Sequence, residues 1–189
     1  LQITDEKAKQ WVAETEGWIT GLQFSDADIL PGRPTSLTRD NEAALFDYFE
    51  QQVLNRQSAE LQEFILRTAL FGEFDAALCE MVLSPFYSEK QDWQKWIRAI
   101  SNNNLFALPV GADGRWLRYH HLFRDFIRAR FEKERSHETR PILSRLEYAY
   151  ESMGEWEKAH DICKKLNDAN LLAEMIERSS VPMFQRAMV

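Results

Sequence analysis

The sequence is poor in cysteine and has no long apolar run. Its two cysteines, Cys79 and Cys163, are too few for a disulfide framework among 189 residues. Each lies among apolar positions of helical spacing, so we expect buried free thiols and a reducing, cytoplasmic location. No apolar run approaches the roughly 20 residues that a membrane helix needs, so no membrane partner is expected.

The beginning of the chain also lacks a secretory signal. The first ten residues, LQITDEKAKQ, have neither the basic start nor the apolar core of a secretory signal. Because the chain begins with Leu1 rather than methionine, we expect a piece of a longer protein, with N-terminal processing as the alternative.

Positive charge is scarce as well. The 23 Lys and Arg residues against 30 Asp and Glu give a net charge of −7 at pH 7. An acidic surface repels phosphates, which argues against non-specific nucleic-acid binding by this chain. No P-loop, G-x-S-x-G or H-E-x-x-H pattern occurs, and neither cysteine has a histidine at ligand spacing. We therefore expect no catalytic residues, no metal site and no cofactor bound by the chain alone.

Helical periodicity is abundant. Leu61, Phe64, Ile65 and Thr68 recur at i, i+3, i+4 and i+7, and similar apolar stripes run through most later segments. The exception is the stretch SDADILPGRPTSLTRDN, whose prolines, glycine and small polar residues predict a linker over residues 31–38. Further on, the segment from Ser88 to Gln91 resembles a capping box that opens a helix.

A short hairpin interrupts the helices. The segments LFALPV and RWLRY have the composition of strands, and GADG joins them. Gly114 after Asp113 suits a hairpin turn because glycine tolerates the positive φ that such turns require. Pro109 cannot donate to a ladder, so its strand should be an edge or its nitrogen should face outward.

These elements predict a mainly α fold. Helices followed by a hairpin have the layout of a winged-helix domain, here over residues 39–136 with one more helix behind the hairpin. Residues 137–189 predict antiparallel helical pairs joined by short turns, with Gly154 as a helix cap.

The hairpin ends in a cluster of basic residues, RWLRYHHLFR over 115–124. His120 precedes a helix, whose unpaired N–H groups and dipole favour anions, and Arg118 and Arg124 add positive charge beside it. One interpretation is a phosphate site. The other is that His120 and His121 pack at the junction between hairpin and helix, one buried and one solvated.

Four stretches resemble a known family in a fixed order. They are TEGWITGL (15–22), FILRTALFGEFDAALCEMV (64–82), NLFALPVGADGRWLRYHHLFRDFIRARF (104–131) and YAYESMGEWEKAHDICKKLNDANLLAEMIE (148–177). Over nearly the whole chain they resemble MalT-type transcriptional regulators of the LuxR family, which belong to the STAND class of signal-transducing ATPases. The resemblance implies the end of a small helical domain over 1–30, the winged-helix domain, and a helical arm over 137–189 that leads to a superhelical sensor.

The resemblance also implies partners. The phosphate-binding loop, the metal-binding aspartates and the DNA reader would all lie outside this chain. The expected partner is the nucleotide-binding domain of the same parent protein, which would bind and hydrolyse ATP with Mg²⁺. A small-molecule inducer or regulatory protein would act through the sensor, and DNA would be bound only through a domain that this chain does not contain.

Two nucleotide contacts follow from the resemblance. In the class, a Met-His-Asp motif places its histidine against the β-phosphate of ADP, and His120 matches it, whereas His121 stands in place of the acid. A Gly-x-Pro turn contacts the adenine, and Gly17 and Trp18 match it, but Ile19 replaces the proline. The alternative for Gly17 and Trp18 is a glycine at a helix start beside a core tryptophan.

Two other functions remain open. Winged helices commonly read a DNA groove with their third helix. Here Lys90, Lys95 and Arg98 could do so, but acidic neighbours offset them, and Trp93 and Trp96 suggest packing. The second alternative is a scaffold in which the helical arm binds a partner protein.

Overall fold

The computed structural model describes residues 39–187, with side chains described over 43–179. The chain divides into two compact units after Ser58. Within the described residues, no helix has both the length and the apolar character that crossing a bilayer requires. The expected linker over 31–38 lies outside them.

The described part of the first unit is a single helical segment. Helix α1 spans Arg39–Tyr48, continues as a π-helical turn over Phe49–Val53, and closes with a 3₁₀ turn over Leu54–Arg56. The backbone becomes extended at Gln57, whose side-chain amide donates to the carbonyl of Val53 at 2.9 Å. The segment is therefore helical as far as Arg56, with a wider winding over Phe49–Val53.

Three helices open the second unit. They are α2 (Ala59–Thr68), α3 (Ala76–Leu83) and α4 (Trp93–Asn102). The carboxylate of Asp75 accepts from the backbone N–H of Leu78 at 2.8 Å and caps α3. Asp92 caps α4 in the same way, accepting from the N–H of Lys95 at 3.0 Å.

The predicted capping box over Ser88–Gln91 is wrong. Helix α4 begins at Trp93, and the side chain of Gln91 donates to the carbonyl of Glu89 at 2.9 Å. Aspartate is among the best N-cap residues, and Asp92 stands directly before the apolar stripe of α4, so the helix begins there.

The hairpin lies where the sequence predicts it. Strand β1 (Ala107–Val110) pairs antiparallel with β2 (Trp116–Tyr119), and Gly111 and Gly114 take positive φ in the turn. Pro109 stands opposite Leu117, whose own N–H and carbonyl bond to Phe74 on the other side, at 2.8 and 2.9 Å. Pro109 therefore does not need to donate a hydrogen bond to the ladder, as expected from its missing N–H.

Three further helices complete the chain. Helix α5 (His121–Ser152) is 32 residues long and is broken by a non-helical residue, Arg135. Helices α6 (Trp156–Leu166) and α7 (Ala169–Ala187) follow, and α6 packs against both α5 and α7. Gly154, with φ of +73°, follows the end of α5, which confirms its predicted capping position. The mainly α architecture with one hairpin and consecutive helical pairs is confirmed.

Aromatic side chains dominate the interior of the second unit. Those buried completely or nearly so are Phe64, Phe71, Phe74, Tyr119, Phe123 and Phe131. The hydroxyls of Tyr119 and Thr68 lie 2.9 Å apart and link the end of the hairpin to α2. This core fixes the direction in which the chain leaves β2 and enters α5, where the basic cluster lies.

Candidate functional site

His120 is the N-cap of α5. Its Nδ1 accepts from the N–H of Leu122 at 3.3 Å, and its carbonyl accepts from the N–H of Arg124 at 2.9 Å. Its own backbone N–H donates to the carbonyl of Phe106 at 2.7 Å, and the residue is 3% exposed. Because Nδ1 accepts a hydrogen bond, the neutral ring carries its proton on Nε2.

The second histidine lies beside the first. The rings of His120 and His121 stack with centroids 4.5 Å apart and planes inclined by 26°. His121 is the first residue of α5 and is partly exposed. The two side chains therefore differ in burial, as the packing interpretation expects, while the nucleotide interpretation of His120 stays a prediction.

A cavity of ≈ 300 Å³ lies within the second unit between β2, α5, α6 and the loop after α2. We call it the cationic cavity. Its lining comprises Leu70, Gly72, Glu73, Arg118, Arg124, Tyr150, Lys158, Asp161, Ile162 and Lys165. It brings together Arg118 and Arg124, two of the sequence-predicted site residues, but His120 is not part of its lining.

Positive charge predominates in this lining. Four cations, Arg118, Arg124, Lys158 and Lys165, face two acids, Glu73 and Asp161. The clustering contrasts with the net charge of −7 of the whole chain.

The cations have acidic neighbours at longer range. Lys158 Nζ lies 3.8 Å from Glu73 Oε2 and 3.5 Å from Glu155 Oε2. Arg124 Nε lies 3.6 Å from Asp125 Oδ1. Within the part of the chain that the structure describes, this buried Nε atom has no hydrogen-bond partner. The ion pairs of Lys158 and Arg124 are therefore loose.

The nearby positive charges lower the pKa of two cations in this region. The pKa of Lys165 is lowered, first by loss of hydration and then by the charges of Arg128 and Arg124, although Asp161 acts in the opposite direction. The pKa of Arg128 is lowered by burial and by Arg124. Its Nε donates to the carbonyl of Ala69 at 2.7 Å, which holds the guanidinium in place.

Sequence reasoning missed the part of the cavity that α6 contributes. Lys158 and Lys165 lie one on each side of Asp161 in an ordinary amphipathic helix. Only the packing of α6 against α5 brings them to the hairpin. Their spacing of seven residues, which places two cations on one helix face, is the one pattern that could have identified them.

Gly17 and Trp18 lie outside the described residues. Trp93 is 5% exposed, and its ring centroid lies 5.6 Å from that of Trp96 and 6.0 Å from that of Phe64, which confirms the expected packing. Among the described residues, no group of three or more potential ligands could hold a metal ion.

The comparisons with known proteins agree with one another. Residues 50–139 match the family model of the MalT winged helix domain. The HTH-type transcriptional regulator MalT of Cronobacter sakazakii is 24% identical over 180 residues, covering 92% of this chain and 19% of the relative. MalT of Vibrio parahaemolyticus is 20% identical over 190 residues, covering 97% and 20%. MalT of Serratia proteamaculans is 26% identical over 127 residues, covering 64% and 14%.

The chain spans about a fifth of the length of the first two of these relatives. The matched region contains α2, α3, α4, the hairpin and the first part of α5, which together form the winged-helix layout. Residues 50–139 are therefore similar to a MalT winged helix domain, and the chain as a whole is similar to part of MalT-type transcriptional regulators.

Proposed function

We propose that the chain is the regulatory, non-catalytic part of a transcription activator of the STAND class and the LuxR family. The activity of such a regulator would be switched by the nucleotide that it binds. In this proposal the winged-helix domain helps to hold ADP and couples the state of the nucleotide to inducer sensing. The observation that carries the proposal is the position of His120, which caps the helix that follows the hairpin and directs its Nδ1 into that helix.

The chemistry of this position suits a phosphate. With Nδ1 accepting from Leu122, the proton of the neutral ring resides on Nε2 and can be donated to a phosphate oxygen. The N-terminus of α5 adds the partial positive charge of its dipole. The chain thus supplies one oriented donor and a favourable field, without supplying a phosphate-binding loop.

The nucleotide itself would be held by the parent protein. ADP, or ATP with Mg²⁺, would bind the nucleotide-binding domain, which is the partner of the winged-helix domain in the same cytoplasmic chain. An inducer or regulatory protein would act through the sensor, and DNA through a separate domain. A hydrogen bond from His120 to ADP would then stabilise the closed, resting arrangement.

The test uses the full-length parent regulator in a reporter assay without inducer. A hydrogen bond to a charged group contributes roughly 1.5–3 kcal/mol, so losing it should shift the closed–open equilibrium about ten-fold or more. His120→Ala should therefore raise inducer-free output by about that factor. Because alanine also removes the cap of α5, His120→Asn is the matched variant, since asparagine caps a helix equally well.

The control is His121→Ala, which changes the neighbouring partly exposed ring and should change output much less. Protein levels are compared by immunoblot. If both His120 variants leave inducer-free output and the rate of ADP release unchanged, the phosphate role is wrong. The packing interpretation then accounts for both histidines.

A further inference from the structure

Phe106, directly before β1, has a backbone conformation that aromatic residues rarely adopt. Its φ is +53°, in the left-handed region, where the Cβ of an L-residue crowds the following carbonyl oxygen. Asn104 also has a positive φ, of +49°, but it lies one residue past the cap of α4, and the N–H of Leu105 returns to the carbonyl of Ile100 at 3.1 Å. A left-handed asparagine is ordinary at such a helix end. Phe106 ends no helix, so its conformation needs another cause.

The backbone of Phe106 holds the backbone of His120. The register of the hairpin pairs Ala107 with Tyr119, so Phe106 and His120 form the next rung of the ladder. The carbonyl of Phe106 accepts from the N–H of His120 at 2.7 Å. Because His120 is 3% exposed, water cannot readily replace this acceptor. The hydrogen bond therefore fixes His120 at the point where the strand becomes a helix.

The ring of Phe106 packs against the first turn of α5. The ring centroids of Phe106 and Phe123 lie 5.5 Å apart, with planes inclined by 38°. Phe123 is completely buried, and its ring also contacts those of Tyr119 at 5.7 Å and Phe126 at 6.0 Å. Aromatic pairs at such distances stabilise a fold beyond the area that they bury. This packing offsets the unfavourable backbone conformation of Phe106.

We propose that Phe106 is a positioning residue for His120. Its ring, anchored on Phe123, holds the left-handed backbone, and that backbone directs the carbonyl at the N–H of His120. Backbone strain of this kind persists only where the surroundings over-determine it, and it clusters at functional sites. The inference rests on the phosphate contact proposed for His120, since a displaced His120 would no longer direct Nε2 at the ligand.

Alanine and glycine at position 106 separate the role of the backbone from that of the ring. Both substitutions remove the contact with Phe123, but only glycine adopts a positive φ without steric cost. Phe106→Gly should therefore keep the carbonyl in place, whereas Phe106→Ala should let the backbone relax away from His120. The loss of the ring is common to both variants and cannot cause a difference between them.

Amide hydrogen exchange of the 189-residue chain, followed by NMR, measures the hydrogen bond directly. The N–H of His120 should exchange about ten-fold faster in Phe106→Ala than in Phe106→Gly, which corresponds to about 1.4 kcal/mol of strain at a left-handed alanine. The nitrogen shifts of the His120 imidazole should show Nδ1 as an acceptor in the wild type and in Phe106→Gly, and a changed pattern in Phe106→Ala. Asn104→Ala is the matched control, because it also places alanine at a left-handed position and should leave the exchange of His120 nearly unchanged.

The consequence for function is measured in the full-length parent regulator without inducer, with protein levels compared by immunoblot. Phe106→Ala should raise reporter output in the same direction as His120→Ala, and Phe106→Gly should leave it near the wild-type level.

Two results would overturn the inference. One is equal exchange of the His120 amide in Phe106→Ala and Phe106→Gly, whatever the reporter output. The other is an output that rises in His120→Ala but not in Phe106→Ala. If the exchange pattern holds and His120→Ala leaves the output unchanged, the phosphate role of His120 fails, while the positioning of His120 by Phe106 stands.

Discussion

Arg67 of α2 and Glu138 of α5 form a bidentate ion pair in the interior of the second unit. Arg67 Nε donates to Glu138 Oε2 at 2.7 Å, and Arg67 Nη2 donates to Oε1 at 3.1 Å. The two residues are 5% and 8% exposed. The pair lies next to Arg135, the non-helical residue of α5, which donates to the same carboxylate at 3.0 Å. It therefore ties α2 to the place where α5 breaks.

Removing one partner of this pair should be costly. Breaking a buried ion pair costs about 3–5 kcal/mol, because the remaining charge is left buried. Since Arg135 still contacts Glu138, we expect Arg67→Met to lower the free energy of unfolding by about 3 kcal/mol. Urea denaturation gives the value. Arg140→Met, which breaks an exposed pair with Asp168, should lower the free energy of unfolding far less.

The same pair determines a response to acid. Burial alone would raise the pKa of Glu138, but the hydrogen bonds and charges of Arg67 and Arg135 outweigh it, and the pKa is lowered. The stabilisation is thus complete above the ordinary pKa of 4.5 and is lost as the pH falls through the lower, folded-state value. Arg67→Met should lose less stability than the wild type between pH 5 and pH 3. An equal acid loss in both proteins would contradict this role of the pair.

Glu147 should make the stability of the protein depend on pH in the opposite direction. Its pKa is raised from 4.5 to about 7, first by burial and then by Glu151, although Arg178 opposes the change. The folded state therefore holds a proton that the unfolded state has released, so Glu147 makes stability fall as the pH rises from 4.5 to 7. At about 1.4 kcal/mol per unit of pKa, the loss is at most roughly 3 kcal/mol.

Glu147→Gln should abolish that decline. Urea denaturation of both proteins at pH 5 and pH 8 measures it, and the difference between the proteins should widen in favour of the variant at pH 8. The matched control is Glu157→Gln on the exposed face of α6, which should follow the wild type at both pH values. Parallel behaviour of Glu147→Gln and the wild type would rule out the buried proton.

Local chemistry explains how much of this fold could be predicted from sequence. The hairpin was predictable because its turn glycines and Pro109 act within a few residues of one another. The start of α4 was misplaced because Ser88 and Asp92 both precede the same apolar stripe, and only the folded backbone selects between them. Helix α5 has a non-helical residue at Arg135, just before residue 137, where the sequence predicts that the helical arm begins.

The candidate site was also predictable only in part from the sequence. His120 was predictable as the residue before a helix, since the strand pattern ends and the helical pattern begins there. The cationic cavity was only half predictable. Arg118 and Arg124 stand out in the sequence, but Lys158 and Lys165 become their neighbours only through the packing of α6 on α5. Contacts of this kind depend on tertiary structure and leave no local pattern.

The two glycines Gly72 and Gly154 should respond differently to alanine. Gly154 has φ of +73°, where an L-residue costs roughly 1–2 kcal/mol, so Gly154→Ala should destabilise the protein by about that amount. Gly72 has no positive φ, and nothing lies within 4 Å of an added Cβ. Gly72→Ala should therefore be neutral or stabilise by up to about 1 kcal/mol, by restricting the unfolded chain. Thermal unfolding of both variants gives the comparison, and similar destabilisation in both would contradict it.

The two aspartate caps offer a final comparison. Asp75 and Asp92 each accept one hydrogen bond from a first-turn N–H, at 2.8 and 3.0 Å, but Asp75 is 3% exposed and Asp92 lies at the surface. Replacing an N-cap by alanine costs about 0.5–2 kcal/mol. Water can replace the lost acceptor at the surface but not in the interior, where an unsatisfied N–H is expensive. Asp75→Ala should therefore lower the free energy of unfolding by about 2 kcal/mol, and Asp92→Ala by about 0.5 kcal/mol. Urea denaturation of the two variants measures both costs, and a larger loss for Asp92→Ala would show that burial does not govern the strength of these caps.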